Sequence, residues 1–513
     1  MITFLLAIAL LVVGYFTYGK FLEKFFGADS NRITPAHKIA DGVDYEVIHP
    51  WRIYVIQFLN IAGLGPIFGA VLGAAYGPIA YVWIVIGCIF MGAAHDYVSG
   101  MLSLRNNGSQ LPGLTKRYLG KYFSSAMVIF NCFLLIAVGS SFVNGPADLL
   151  DALANTHNIK IWLFIIFAYY ICATLLPISK IIGKIYPYMG AILLVMAIML
   201  FVAILYHGFS SDPAVHRSMI ELTPATFRNF KIPSPAHLIP FLFITISCGA
   251  ISGFHGTQSP LMARCMGNEK YGRKIFYGAM ITEGIVACIW ATAAMAFYNG
   301  PDGLNNAVVA GMSPAKIVHT ICNTWLGKFG AIIAIIGVVV CPITSGDTAF
   351  RSMRIVVADT FKIPQKKIMN RILVALPIFV LAFIISNLQF TTIWNLVGIS
   401  NQILAVITLW TCAAYFASEK KCHWIMSVPA MFLTFICTSY IMIAPYSKGG
   451  LHFIAHTGYT VGIITTVAIT LLFLHYAKSE RLPRLIAEHA NDITVSATDK
   501  EKEELEEDEA AIL

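Results

Sequence analysis

The chain has 513 residues, of which 57% are hydrophobic and only 12% are charged, and its mean hydropathy is +0.72. A soluble globular chain carries roughly twice that charged fraction, so this composition excludes an ordinary water-soluble protein. The apolar runs are about 20 residues or longer, which is the length of a membrane-spanning helix rather than of a barrel strand. The composition therefore indicates an all-α polytopic membrane protein.

The net charge of +8 is distributed unevenly along the chain. Most basic residues lie in short loops beside apolar spans, where they set orientation in the membrane, so the excess does not indicate nucleic-acid binding. The segment 478–513 is acidic instead, with five Lys or Arg and eleven Asp or Glu residues, and we expect much of it to be solvated. No CxxC spacing suggests a metal site.

The apolar segments predict thirteen spans. The first lacks a basic n-region and a cleavage site, so we expect a retained helix rather than a signal peptide. A short surface or re-entrant helix is expected between 299 and 328. The spans are predicted at 1–18, 53–75, 78–104, 122–145, 160–178, 186–207, 238–262, 271–298, 329–352, 368–386, 390–417, 422–444 and 456–477.

Two of the spans contain residues that do not sustain a helix. Gly63, Gly65 and Pro66 interrupt the second span, and a Gly-, Ser- and Thr-rich run at Ile246–Pro260 interrupts the seventh. Inside a bilayer, the unpaired backbone groups of a broken helix are tolerated only where they face protein, water or a ligand. Two broken spans in corresponding positions of two halves indicate the binding site of a secondary transporter.

The second broken span follows the first after five spans. Because five is odd, the two sets of five have opposite orientations and form an inverted repeat. This arrangement resembles the LeuT-type fold of the amino acid, polyamine and organocation (APC) superfamily, with one extra N-terminal and two extra C-terminal helices. The expected divisions are 1–18 (extra helix), 19–52 (cytoplasmic segment), 53–207 (first repeat), 208–237 (external loop), 238–417 (second repeat), 418–477 (two extra helices) and 478–513 (acidic cytoplasmic tail).

The loops 105–121, 263–274 and 351–371 hold clusters of basic residues and fall on one side of the predicted membrane. By the positive-inside rule, that side is cytoplasmic. We therefore expect a multi-pass protein of the cell (inner) membrane, with its N-terminus outside and its C-terminus in the cytoplasm.

Five motifs together resemble the carbon starvation protein A (CstA) family over about residues 1–476. The resemblance implies a transporter of pyruvate or of peptides, with proton coupling for the pyruvate carriers. The short C-terminal part and acidic tail depart from the longer family members, so the substrate does not transfer with the resemblance. The motifs are DGVDY (Asp41–Tyr45), NIAGLGPIFG (Asn60–Gly69), AHDYVSGMLSLR (Ala94–Arg105), SGFHGTQSP (Ser252–Pro260) and ITSGDTAFRSMR (Ile343–Arg354).

Four titratable residues in the spans are candidates for proton coupling. Glu283 lies near the middle of its span without a polar neighbour one turn away, so it is either protonated or paired with another helix. His95 and Asp96 form either a proton relay or part of a buried polar network or inner gate. Asp347 is spaced to pair with Arg351 one turn on.

Thr344 and Ser345 form a candidate sodium site. They match the hydroxyl pair that joins carbonyls of the first broken helix around an ion in sodium-coupled LeuT-type carriers, and they lie on the eighth helix of the predicted core, as that resemblance requires. Both coupling ions stay open, and the family favours H⁺. No other cofactor is expected.

The residues expected to bind substrate lie at the two breaks and on the tenth core helix. No arginine lies near the predicted midplane, so a carboxylate would be held mainly by half-helix N-termini and exposed N–H groups. The candidates are Asn60, Ala62, Gly63, Gly65, Ser252, Gly253, His255, Gly256, Thr257, Gln258 and Asn395.

These features predict a cation-coupled symporter that imports a small nutrient, with pyruvate or a similar monocarboxylate first among the substrates. A Na⁺-coupled peptide or amino-acid transporter is the alternative, and a membrane nutrient sensor is the alternative from another class. An enzyme is disfavoured because the sequence has no nucleophile motif, HExxH or phosphate loop. The expected partners are a small-molecule substrate and the lipid bilayer; the oligomeric state, a homo-oligomer included, is open.

Overall fold

A computed structural model describes residues 1–154, 156–176, 178–231, 237–387 and 390–488. Most of the predicted acidic tail, from 489 to 513, lies outside the described residues. The helices are α1 (Ile2–Phe16), α2 (Tyr18–Phe26), α3 (Pro35–Lys38), α4 (Pro50–Ile61), α5 (Ala70–Ala74), α6 (Ile79–Ile86), α7 (Ala93–Arg105), α8 (Leu111–Leu119), α9 (Lys121–Ala154), α10 (Ile159–Leu175), α11 (Ile178–Phe209), α12 (Leu238–Thr245), α13 (Gly253–Ala263), α14 (Gly278–Phe297), α15 (Pro301–Val309), α16 (Pro314–Trp325), α17 (Gly327–Phe361), α18 (Ile368–Ser386), α19 (Phe390–Ser418), α20 (Trp424–Ile443), α21 (Ala455–Lys478) and α22 (Arg481–Glu488).

The described residues contain ten helices long and apolar enough to cross a membrane, or eleven when one bent pair is counted as a span. The all-helical, membrane-spanning architecture is therefore confirmed. Two predicted spans are not among these helices. Helix α10 has only 17 residues, which is shorter than the others, and the predicted span 238–262 is divided into α12 and α13 by residues 246–252. The count of thirteen stays a prediction.

The first predicted break lies where α4 ends at Ile61. A π-helical turn over Gly65–Gly69 follows and contains Pro66, which cannot donate a backbone hydrogen bond. The chain then continues as α5, and the two halves are bent by 55°. The glycines and the proline thus interrupt the span where the sequence predicts it.

The second break separates α12 from α13, and it packs directly on the first. A Cβ atom on Gly65 would lie 2.2 Å from Cβ of Cys248, and one on Gly69 would lie 2.8 Å from the carbonyl oxygen of Thr245. These distances are shorter than real Cβ contacts. The absence of side chains at the first break therefore allows the two interrupted segments to touch.

The broken helices lie at the centre of the bundle, and the flanking helices lie around them. Helix α13 packs against α4, α7, α17 and α19, while α4 also packs against α11 and α14. Helix α1 packs on α14 and α6, α20 packs on α19, and α21 packs on α20. The helices predicted as additions to the core thus occupy its periphery.

Gly65→Ala tests the contact between the breaks. We expect the added methyl group to clash with Cys248 and to lower the stability by about 1–3 kcal/mol, which thermal unfolding of the purified protein measures. The double variant Gly65→Ala/Cys248→Gly should recover most of the loss, because the clash involves only the Cys248 side chain. Gly113→Ala is the matched control, since its new Cβ would meet nothing closer than 3.5 Å. An unchanged unfolding temperature in Gly65→Ala would contradict the close contact.

Candidate functional site

Four titratable side chains form a continuous chain inside the bundle. Nδ1 of His95 lies 2.7 Å from Oδ1 of Asp96, and Nδ1 of His255 lies 2.9 Å from Oδ2 of the same carboxyl. Nε2 of His255 lies 3.4 Å from Oε2 of Glu283. All four side chains have zero exposed surface. The structure therefore joins α7, the broken span's α13 and α14 through residues that are far apart in the sequence.

The geometry places one imidazole between two carboxyl groups. His255 directs one ring nitrogen toward Asp96 and the other toward Glu283, so a proton taken up on one side of the ring can be released on the other. Within the described residues, both oxygens of Glu283 and Nε2 of His95 lack a hydrogen-bond partner. An ionised carboxylate without a partner is costly at this depth, so the charge state of the cluster depends on bound protons. His255, which the sequence predicts as a substrate ligand, lies in this cluster.

The hydroxyl pair lies beside the first break. Oγ of Ser345 donates to the carbonyl oxygen of Leu59 at 3.0 Å, and Oγ1 of Thr344 approaches the same oxygen at 3.3 Å. Gly63 is close as well, since a Cβ there would lie 3.3 Å from Oγ of Ser345. Hydroxyls together with carbonyls at the end of a half-helix are the ligand type that transporters use for a cation.

The first break also carries a buried amide with no partner. Asn60 has no exposed surface, and neither its Oδ1 nor its Nδ2 has a hydrogen-bond partner within the described residues. Oε1 of Gln57, one turn earlier, and Oε1 of Gln258 in α13 are also without a partner there. Buried polar atoms are nearly always satisfied by protein, water or a ligand. These amide atoms are therefore candidate contacts for a small substrate.

The N-terminus of α13 is held by α19. Oδ1 of Asn401 accepts hydrogen bonds from the Phe254 N–H at 2.7 Å and from Oγ of Ser252 at 3.0 Å, and a Cβ on Gly253 would lie 2.3 Å from the Asn401 carbonyl oxygen. The Asn401 side chain therefore occupies the Phe254 N–H at the N-terminus of α13, one of the helix ends that the sequence predicts as a carboxylate site. Asn395, the residue selected from α19, is half-buried and lies earlier on the same helix.

The remaining predicted ligands have local roles. Ala62 closes the last turn of α4 through its N–H to the carbonyl oxygen of Phe58 at 2.8 Å. Oγ1 of Thr257 donates to the carbonyl oxygen of Phe254 at 2.7 Å and accepts from Nε2 of Gln258 at 2.8 Å. Gly256 faces His95, because a Cβ there would lie 3.3 Å from Cε1 of its ring.

The predicted pairing of Asp347 with Arg351 is wrong. Oδ2 of Asp347 accepts hydrogen bonds from Tyr186 at 2.6 Å and Tyr169 at 2.9 Å, while its Oδ1 has no hydrogen-bond partner in the described residues. Arg351 instead reaches Asp44 of the DGVDY motif, with Nη1 and Oδ1 3.1 Å apart.

Asp44 ties the segment before the first broken helix to α17. Arg354 donates to both of its carboxylate oxygens at 3.0 Å, in addition to the contact from Arg351. Burial alone would raise the pKa of Asp44, but the nearby Arg354, Arg351 and Arg264 lower it to about 2. Asp44 is therefore ionised at neutral pH, and buried ion pairs join the segment before α4 to α17 at this end of the bundle.

A solved structure shares this architecture. It is a nucleobase-cation-symport-1 family transporter in a closed conformation with bromovinylhydantoin bound. The match has a TM-score of 0.50 and 14% sequence identity, and it covers 89% of this chain and 98% of that one. The chain thus shares the fold of that protein.

Several curated proteins are similar in sequence. An uncharacterized membrane protein of Haemophilus influenzae is 45% identical over 62% of this chain and 96% of its own length. The peptide transporter CstA of Campylobacter jejuni is 27% identical over 57% of this chain, and the pyruvate/proton symporter BtsT of Escherichia coli is 27% identical over 60% of it. The matches cover 50% of each of these two transporters.

The family model described as carbon starvation protein CstA matches three stretches of the chain, 1–156, 134–301 and 299–440. These stretches include both breaks, the titratable cluster and the hydroxyl pair. The chain therefore belongs to the carbon starvation protein CstA family of membrane transporters.

Proposed function

We propose that the chain is a proton-coupled symporter that imports a small monocarboxylate such as pyruvate by alternating access. The observation that carries the proposal is the buried chain of His95, Asp96, His255 and Glu283. It provides titratable groups in the membrane interior on three helices, one of which follows a break. The similarity to a pyruvate/proton symporter supports the same ion and substrate class.

Protonation of this cluster can change the conformation of the site directly. His255 is on α13, whereas Asp96 and Glu283 are on α7 and α14. Adding or removing a proton changes the attraction between these helices, and a ligand or proton shifts a conformational equilibrium only by binding one state more tightly. The cluster is thus positioned to bias the second broken span.

The substrate is proposed to bind beside the two breaks. Both amide atoms of Asn60 and Oε1 of Gln258 have no hydrogen-bond partner in the described residues and supply donors and acceptors. One carboxylate and one carbonyl, as in pyruvate, match this small number of polar groups. We also propose that the end of the bundle with the basic loops and Asp44 faces the cytoplasm, with the N-terminus outside and the C-terminus inside.

A second candidate is a Na⁺-coupled carrier of peptides or amino acids. The contacts of Thr344 and Ser345 with the Leu59 carbonyl favour it, because oxygen ligands at a half-helix end suit that ion. The similarity to peptide transporters supports the alternative substrate class.

Ion gradients imposed across proteoliposomes separate the two candidates. We expect an inward proton gradient in Na⁺-free buffer to drive pyruvate accumulation, and a Na⁺ gradient at equal pH to drive none. Ser345→Ala should then keep proton-driven uptake within about threefold, since it removes one neutral hydrogen bond. Accumulation that follows Na⁺ and disappears in Ser345→Ala would reverse the assignment, and accumulation that ignores both gradients would reject coupled transport.

Glu283→Gln tests the titratable cluster. The amide keeps the size of the side chain but cannot release a proton, so we expect proton-driven accumulation to fall at least tenfold while pyruvate exchange at equal pH persists. Asp302→Asn, which neutralises an exposed carboxyl on α15, is the control and should leave both activities intact. Wild-type pH dependence in Glu283→Gln would show that the carboxyl is structural.

Asn60→Ala tests the substrate surface. Because the Asn60 amide has no protein partner in the described residues, its removal should preserve the unfolding temperature. It should also weaken pyruvate binding by about tenfold, the value of one or two hydrogen bonds. The ligand-dependent shift of the unfolding temperature measures this loss. Asn401→Ala should instead lower the unfolding temperature, because the Asn401 side chain binds the N-terminus of α13. Unchanged pyruvate affinity in Asn60→Ala would remove Asn60 from the site.

A further inference from the structure

A polar cavity lies away from the two breaks, at the end of the bundle that carries the basic loops. Its volume is about 800 Å³. The walls come from the segment before α8, from α8 itself, from the start of α9 and from the end of α17. None of the residues proposed for substrate or ion coupling lines it.

The cavity is lined mainly by cations. Five basic residues surround it, against a single acidic one, Asp359. Asp359 is 54% exposed and pairs with Arg264 at 3.3 Å, so the lining carries more positive than negative charge. The basic residues are Lys116, Arg117, Lys121, Arg264 and Lys362. The electrostatic environment favours an anion with more than one negative oxygen.

Gln110 supplies a neutral donor in the same wall. It is only 3% exposed, and its Oε1 accepts a hydrogen bond from Oγ of Ser352 at 3.4 Å. Its Nε2 group has no hydrogen-bond partner within the described residues. Gln110 is also the N-cap residue of α8, the helix end where anions are stabilised. A buried amide with its acceptor side engaged and its donor side open indicates a ligand that accepts hydrogen bonds.

The position of the cavity indicates where such a ligand comes from. Lys121 is followed by Tyr122 and Phe123, which are 85% and 60% exposed, and Lys362 follows Phe361, which is 71% exposed. Aromatic residues beside lysines are typical of the membrane–water interface. Beyond them, α9 presents exposed apolar side chains such as Ile129. A ligand held here has its charged group in the cavity and apolar surface beside it.

We propose that this cavity binds the phosphate group of an anionic lipid. The lysines and arginines neutralise the phosphate, Gln110 donates a hydrogen bond to it, and the acyl chains lie along α9. Basic pockets between membrane helices are known to hold lipid headgroups of this chemistry. A free phosphate compound shares the chemistry of the headgroup but would not use the apolar surface.

The cavity also has a short connection to the second broken span. Oγ of Ser352 lies within hydrogen-bond distance of Oε1 of Gln110 and of the Thr257 carbonyl oxygen, which is 3.0 Å away. A phosphate bound to Gln110 is therefore connected to Thr257 of α13 through a single intervening side chain, Ser352. Lipid binding is thereby placed to influence the conformation of the transport core, although the proposal does not depend on which ion or substrate is carried.

Native mass spectrometry of the full chain, released from detergent micelles that contain equal amounts of phosphatidylglycerol and phosphatidylcholine, tests the site. We expect selective retention of phosphatidylglycerol, reduced on the order of tenfold or more in Lys116→Gln/Lys121→Gln, because each lysine near a lipid surface contributes measurably. Gly113→Glu should abolish retention, since it places a carboxylate in the wall where a new Cβ meets nothing closer than 3.5 Å. Lys366→Gln/Lys367→Gln removes the same charge from exposed positions outside the cavity and should retain the lipid.

Thermal unfolding with inorganic phosphate or pyrophosphate distinguishes the two sources. We expect phosphatidylglycerol to raise the unfolding temperature of the wild-type protein and these soluble anions to have little effect at the same concentration. Equal stabilisation by pyrophosphate, lost in Gly113→Glu, would overturn the lipid as the ligand. Equal loss of phosphatidylglycerol in both lysine pairs, or no preference over phosphatidylcholine, would overturn the site altogether.

Discussion

The need to satisfy polar backbone groups inside a membrane is the constraint on which the rest of this structure depends. Each break removes helical hydrogen bonds where no bulk water replaces them. Side chains of other helices supply the missing partners: Trp83 donates to the Ile246 carbonyl oxygen, Gln402 to that of Ile251, and Ser345 to that of Leu59. The helices around the site are thus positioned by the breaks, and the glycines at the contact bring the two interrupted segments together.

Burial of charge imposes the second constraint. An unpartnered carboxylate in the membrane interior costs several kcal/mol, and the cluster contains two carboxyl groups. His255 lies between the two carboxyl groups and His95 lies beside Asp96, which reduces that cost. Bound protons neutralise the remaining negative charge. Because one histidine is on α13, the same arrangement that makes the acids tolerable also connects their protonation to the position of a broken helix.

The parts that could be predicted from the sequence depend on local signals. Glycines and proline interrupt a helix wherever they occur, so both breaks are evident from composition, and the inward location of Glu283 follows from its charge. Contacts between residues that are far apart in the sequence leave no local pattern from which they could be predicted. The i, i+4 rule suggested Asp347 with Arg351, but Tyr169, Tyr186 and Asp44 compete for these groups from other elements. Nothing in the spacing distinguished Asn401, which binds the break, from Asn395.

The two candidate ion sites differ in whether the protein already satisfies them. At the first break, Ser345 donates to the Leu59 carbonyl at 3.0 Å and Thr344 donates to the Cys341 carbonyl at 2.8 Å, so both hydroxyls have hydrogen-bond partners in the protein. The oxygens of Glu283 have no hydrogen-bond partner in the described part of the chain. A buried carboxyl with nothing to accept from is stable only as the neutral acid or with a protonated His255 beside it, and both states require a bound proton. We therefore base the choice of the proton as the proposed coupling ion on this requirement.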